Sequence, residues 1–120
     1  MKYMLAMFGD QAGMATQSQD WVRDMIRFMT TLNDELASSG ELLYAEGLAD
    51  APLAKVVRRR GDEVFTTDGP YAESKESLAG FWLLEVESEE RVIEIASRIV
   101  EWSEIVEVRQ VMAGPPDEML

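Results

Sequence analysis

Asp68, Tyr71, Glu73, Lys75 and Glu76 fall within one short run, Thr66-Thr67-Asp68-Gly69-Pro70-Tyr71-Ala72-Glu73-Ser74-Lys75-Glu76. They bring carboxylates, an ammonium and a phenol to a single turn. A carboxylate there can act as a general base or accept hydrogen bonds from a ligand, and a lysine can hold an anionic group. Asp68 is therefore the candidate catalytic residue, with Tyr71, Glu73 and Lys75 as candidate ligand-binding groups. Glu46, beside Gly47, offers a second carboxylate, and Arg59 offers a guanidinium. Each also has a structural reading. Asp68 can accept backbone N–H bonds from the loop after Pro70, the charged residues after Tyr71 can be a solvated loop, and Glu46 can be a strand-end surface acid.

The chain has no cysteine and no histidine, so disulfides, thiolate zinc sites and every Ser-His-Asp, Cys-His or histidine-metal mechanism carried by this chain alone are excluded. The acids Glu85, Glu87, Glu89 and Glu90 lack calcium-loop spacing and suit a helix N-terminus instead. No metal and no cofactor are implied.

These residues need a frame. At 120 residues the chain suits one domain over 1–111 with a tail over 112–120. Lys2 to Phe8 reads as a strand with apolar residues on both faces. Ser18 is placed to cap a helix in which Trp21, Val22, Met25, Ile26, Met29, Leu32 and Leu36 recur at helical spacing, and Gly40 is placed to close it. A strand over Glu41 to Leu48 follows, with Gly47 marking a bulge or a close approach. Lys55 to Arg60 and Glu63 to Thr67 form a hairpin around Gly61-Asp62, which sets Lys55 opposite Asp68 and Arg59 opposite Val64. Phe81 to Val86 is the next strand, and Ser88 caps a helix with Val92, Ile93, Ala96, Ile99 and Val100 as its stripe. Ile105 to Val111 is the last strand. Two strand-helix-strand units joined by a hairpin insertion give an α+β, ferredoxin-like domain with both helices on one sheet face. The apolar residues on both sides of the first and fifth strands ask for a cover on the other face, and a second copy supplies it in a face-to-face homodimer.

A net charge of −12 argues against nucleic acid or an anionic membrane as partner. The one basic run, Arg58-Arg59-Arg60, splits between two strand faces. No apolar run is long enough to span a membrane, and a cytoplasmic location is expected.

At Asp68-Gly69-Pro70-Tyr71 the sequence resembles the YCII-related, DGPF-domain family of small bacterial proteins. Met1-Lys2-Tyr3-Met4-Leu5, Glu46-Gly47-Leu48, the run from Thr67 to Glu76 and Val106-Glu107-Val108-Arg109 match family counterparts in order. The resemblance implies a dimeric α+β barrel of ferredoxin-like halves. It implies little about reaction: related YCII proteins have been proposed as enzymes because a histidine and an aspartate meet in a cleft, and without a histidine that pair is not carried over. Tyr71 stands where the motif has phenylalanine.

The functional expectation is a dimeric small-molecule-binding protein, with weak enzymatic activity through carboxylate and lysine chemistry as an option. Its pocket is expected between sheet and helices, near Asp68, Glu73 and Lys75. The alternative is a protein-interaction or regulatory accessory domain without a small ligand.

Overall fold

Ser18 Oγ accepts a hydrogen bond from the Trp21 backbone N–H at 3.0 Å and opens the first helix; Ser88 Oγ does the same for the Arg91 N–H at 3.1 Å and opens the second. These caps and the alternating apolar runs set the elements of the computed structural model, which describes residues 1–9, 16–71 and 77–115. They are β1 (Lys2–Gly9), α1 (Gln19–Ser38), β2 (Leu42–Gly47), β3 (Lys55–Arg60), β4 (Glu63–Asp68), β5 (Ser77–Glu85), α2 (Glu89–Ser103) and β6 (Val106–Gln110), with a 3-10 turn at Ala51–Leu53 before β3. Gly40 follows α1 at φ 81°, as the cap requires, whereas α2 ends on a non-glycine left-handed residue, Glu104 at φ 66°.

The sheet runs β2-β5-β1-β6 with every neighbouring pair antiparallel, and β3 and β4 form a separate hairpin. Each crossover, β1-α1-β2 and β5-α2-β6, therefore skips over one strand. That α+β arrangement is compatible with a ferredoxin-like fold. Strand β5 starts at Ser77, four residues before the expected Phe81, because its early residues pair with the end of β1.

Tyr3, Leu5, Trp82 and Leu84 point from the sheet toward Leu32 and Leu36 of α1 and Val92, Ile95 and Ile99 of α2, and these form the core. Fully burying one such leucine or isoleucine contributes about 1.5–3 kcal/mol. Trp82 Nε1 donates to Asn33 Oδ1 at 2.8 Å, so the indole is buried without a lost hydrogen bond. Two stripe assignments need correcting. Ile93 and Ile26 are exposed, and Ile95 and Phe28 pack inward in their place. The physical reason is helical phase: Val92, Ile95, Ala96 and Ile99 follow the i, i+3, i+4, i+7 rule, and Ile93 falls off that line. The close approach expected at Gly47 is real, with the tight side on its partner strand. A Cβ on Gly80 would lie 3.0 Å from the Glu46 carbonyl oxygen and 3.4 Å from Gly47 Cα, while the bulge of β2 lies between Leu42 and Tyr44.

The start of β2 is fastened to α2 by charge. Arg91 grips Glu41 with two hydrogen bonds, Nε to Oε2 and Nη2 to Oε1, both 2.9 Å, and Ser39 Oγ donates to Glu41 Oε1 at 2.7 Å. Hydrogen bonding from Arg91 holds the Glu41 carboxyl below its ordinary value of 4.5, against the opposing effect of burial. With a depressed folded-state pKa, the contribution of Glu41 to stability is complete above pH 4.5 and is lost as the pH falls through the lower folded value. Arg91→Ala leaves a carboxylate of low exposure unpaired and is expected to cost about 1–3 kcal/mol near neutral pH. Urea titrations of both proteins check this: the gap between them should narrow as the pH drops below 4.5, and a gap independent of pH would show that Glu41 is not the partner that matters.

No helix or strand among the described residues covers the opposite sheet face. The registers lay out its residues in rows across the strands. Tyr44, Leu83, Met4 and Arg109 stand side by side in one row, and Glu46, Phe81, Ala6 and Glu107 in the next. The Tyr44 and Phe81 rings stack with centroids 6.1 Å apart. The molecule is accordingly thin, 48 × 46 × 19 Å, the depth of one sheet and one layer of helices. Its radius of gyration is 17.1 Å, against about 14 Å for a compact chain of this length.

Candidate functional site

The hairpin delivers the Asp68-Gly69-Pro70-Tyr71 turn back to the place where the chain left β2. Its register is the one expected, with Lys55 opposite Asp68, Val57 opposite Thr66 and Arg59 opposite Val64. The Gly69 N–H donates to the Ala54 carbonyl at 2.8 Å and closes the hairpin root. Gly69 turns there with φ 94°, a conformation open to glycine at no steric cost.

That closure shapes a cavity of about 320 Å³ at the end of the sheet. Its lining includes Leu48, Asp50, Leu53, Tyr71, Ser77 and Leu78, drawn from the β2–β3 connection, the turn and the start of β5. The volume falls at the small end of the range for ligand pockets, and an apolar lining with few polar groups is their usual character. The expected position between sheet and helices is corrected by the core: Leu5, Leu32, Leu36, Leu84 and Ile99 fill that interval.

Of the six residues singled out from sequence, Tyr71 lines the cavity. The residue is 80% exposed, and its ring lies under the Arg58 guanidinium, 5.4 Å from the ring centroid. Asp68 does not line it; its exposed carboxylate is paired with Lys55 Nζ. Arg59 stands out on the hairpin opposite Val64, and Glu46 lies on the open sheet face opposite Phe81, so neither is brought to the turn. Glu73 and Lys75 lie outside the described residues.

The acidic residue that lines the cavity is Asp50, in the connection between β2 and β3, which was not among the candidates named from the sequence. It precedes Ala51-Pro52, and its carbonyl accepts from the Leu53 N–H at 2.8 Å, which starts the 3-10 turn. Its side chain makes no capping hydrogen bond and is half-buried. An aspartate ahead of a proline-led turn was the available signal. Among the described residues, no group of three or more histidine, cysteine, aspartate and glutamate side chains is placed to hold a metal ion, and no helix is long and apolar enough to cross a membrane.

The fold and this cavity define a small α+β domain, compatible with a ferredoxin-like topology, with an inserted hairpin whose root borders a mostly apolar pocket. More particularly, the chain belongs to the YCII-related domain family, whose model matches residues 1–114. A protein of Rhizobium meliloti (strain 1021), described as uncharacterized, is 25% identical over 96 residues, 80% of this chain and 77% of that relative.

Proposed function

We propose that the protein is a homodimeric binder of a small, largely apolar molecule carrying one hydrogen-bond donor or cationic group. The observation that carries this reading is the open cleft at the hairpin root, whose mostly apolar lining includes the half-buried Asp50, with Tyr71 and Ser77 as further residues that bear polar groups. A carboxylate with no capping role is free to meet a donor on the ligand. Tyr71 adds a flat apolar face with a polar tip, the combination that favours recognition of a small ring or chain. The dimer is supported by the open sheet face, where Met4, Phe81, Leu83 and Tyr44 form a contiguous apolar row and corner.

A thermal-shift screen against a metabolite panel tests the binding site. A ligand at a hundred times its Kd stabilises by about 2.7 kcal/mol. Asp50→Asn and Tyr71→Ala are expected to remove most of that shift, and Asp68→Asn to leave it in place. A hit whose shift survives both cavity substitutions would place the ligand elsewhere.

A further inference from the structure

We propose that the β3–β4 hairpin is an exchanged arm: the Val57, Arg59 and Val64 face of one copy closes the cavity of a second copy, with Arg59 pairing with one oxygen of that copy's Asp50 and the other oxygen left to accept from the ligand. The inference rests on the dimer of the preceding section and adds that each binding site is composite.

A two-stranded hairpin on its own is marginally stable in water, and among the described residues no other element packs extensively along this one. Its two faces are not equivalent. On one, Arg60 lies over the Phe65 ring at 5.3 Å and Arg58 over Tyr71 at 5.4 Å, so that face covers its own apolar groups. The other carries Val57 and Val64, 67% and 69% exposed, with Arg59 directly opposite Val64 and next to Val57 along the face; Lys55 and Asp68 pair at its root, while Arg59 has no ion-pair partner among the described residues. Among the described residues that face lacks a cover.

Charge selects the occupant. Residues 55–68 hold Lys55, Arg58, Arg59 and Arg60 against Asp62, Glu63 and Asp68, a net of +1, and the remaining chain holds seven basic residues against twenty acidic, a net of −13. A weakly basic arm on a strongly acidic body is complementary to another copy of the same body. The receiving surface matches it in detail. Leu48, Leu53 and Leu78 are exposed around the cavity and Asp50 is the acid among them, an apolar rim with one anion for two valines flanking one cation.

Geometry permits reciprocity. Strands of six residues reach about 20 Å, and the arm is rooted at Ala54 and Pro70, which border its own cavity. Two cavities within that reach across a two-fold axis would exchange arms symmetrically.

The absence of cysteine makes the test direct. Val64→Cys and Leu53→Cys, each on a different tagged chain, are mixed, re-equilibrated and oxidised; both sites are exposed, so each variant should fold. The expected result is a disulfide-linked pair of one chain of each kind as the main oxidised species, with at least tenfold less product when Leu53→Cys is replaced by Glu101→Cys on the outer face of α2. Equal yields with the two would mean random collision and overturn the arm. A dimer by light scattering that gives no Val64–Leu53 product would overturn the arm and leave the dimer standing. A monomer would overturn both.

Discussion

Leu83→Glu is expected to abolish the proposed dimer and to leave aggregated or unfolded chain in place of a well-behaved monomer. Leu83 sits between Tyr44 of β2 and Met4 of β1 on the uncovered sheet face, with Phe81 in the adjoining row. An interface of obligate size, above roughly 2,000 Å² in total, would bury this face. A carboxylate placed at its centre is desolvated with no cation opposite, which costs about 3–5 kcal/mol, a loss of more than a hundredfold in association. The face would then stand open, with Met4, Phe81 and Tyr44 beside an unpaired charge. Light scattering and size-exclusion chromatography at micromolar concentration read the outcome. A wild-type protein that is a well-folded monomer under those conditions would sink the idea, as would a variant that still pairs.

The neighbouring substitution Leu84→Ala should act on the other side of the sheet and by another route. Leu84 is 0% exposed and belongs to the core formed with α1 and α2. Truncating it removes buried methyl groups and leaves a cavity that close-packed neighbours fill only in part, a loss of about 3 kcal/mol within a usual range of 2–5. Since small domains are stable by about 5–15 kcal/mol, this is a large share of the total. Urea denaturation should show the midpoint falling steeply, with association of the remaining folded protein unaltered. A loss below about 1 kcal/mol would mean that Leu84 is not in a close-packed environment. The two adjacent leucines thus serve as opposite controls, one for assembly and one for folding.

Much of the frame was legible along the chain because the signals act over a few residues. Ser18 and Ser88 cap their helices as their side-chain chemistry requires, and Gly61-Asp62 fixes the hairpin register residue by residue. Element ends were less legible. Strand β5 gains Ser77–Gly80 through pairing with β1 and β2, and α2 stops on Glu104 without a glycine. The candidate site was legible only in part. Tyr71 was named from the turn it follows, while Asp50 carried no mark beyond the proline-led turn after it.

By itself, the sequence determined the α+β element order, the hairpin pairing, the lack of histidine and thiol chemistry, and the presence of apolar residues on both faces of β1 and β5. Only the tertiary structure decided which of those faces the helices cover. When both faces of a strand are apolar, alternation gives its period and not its direction, so Leu83 and Leu84 were indistinguishable until α1 and α2 packed on one side. The cavity is tertiary for a related reason. It exists because the Gly69 N–H meets the Ala54 carbonyl and returns the turn to the β2–β3 connection, a closure between segments that local sequence cannot bring together.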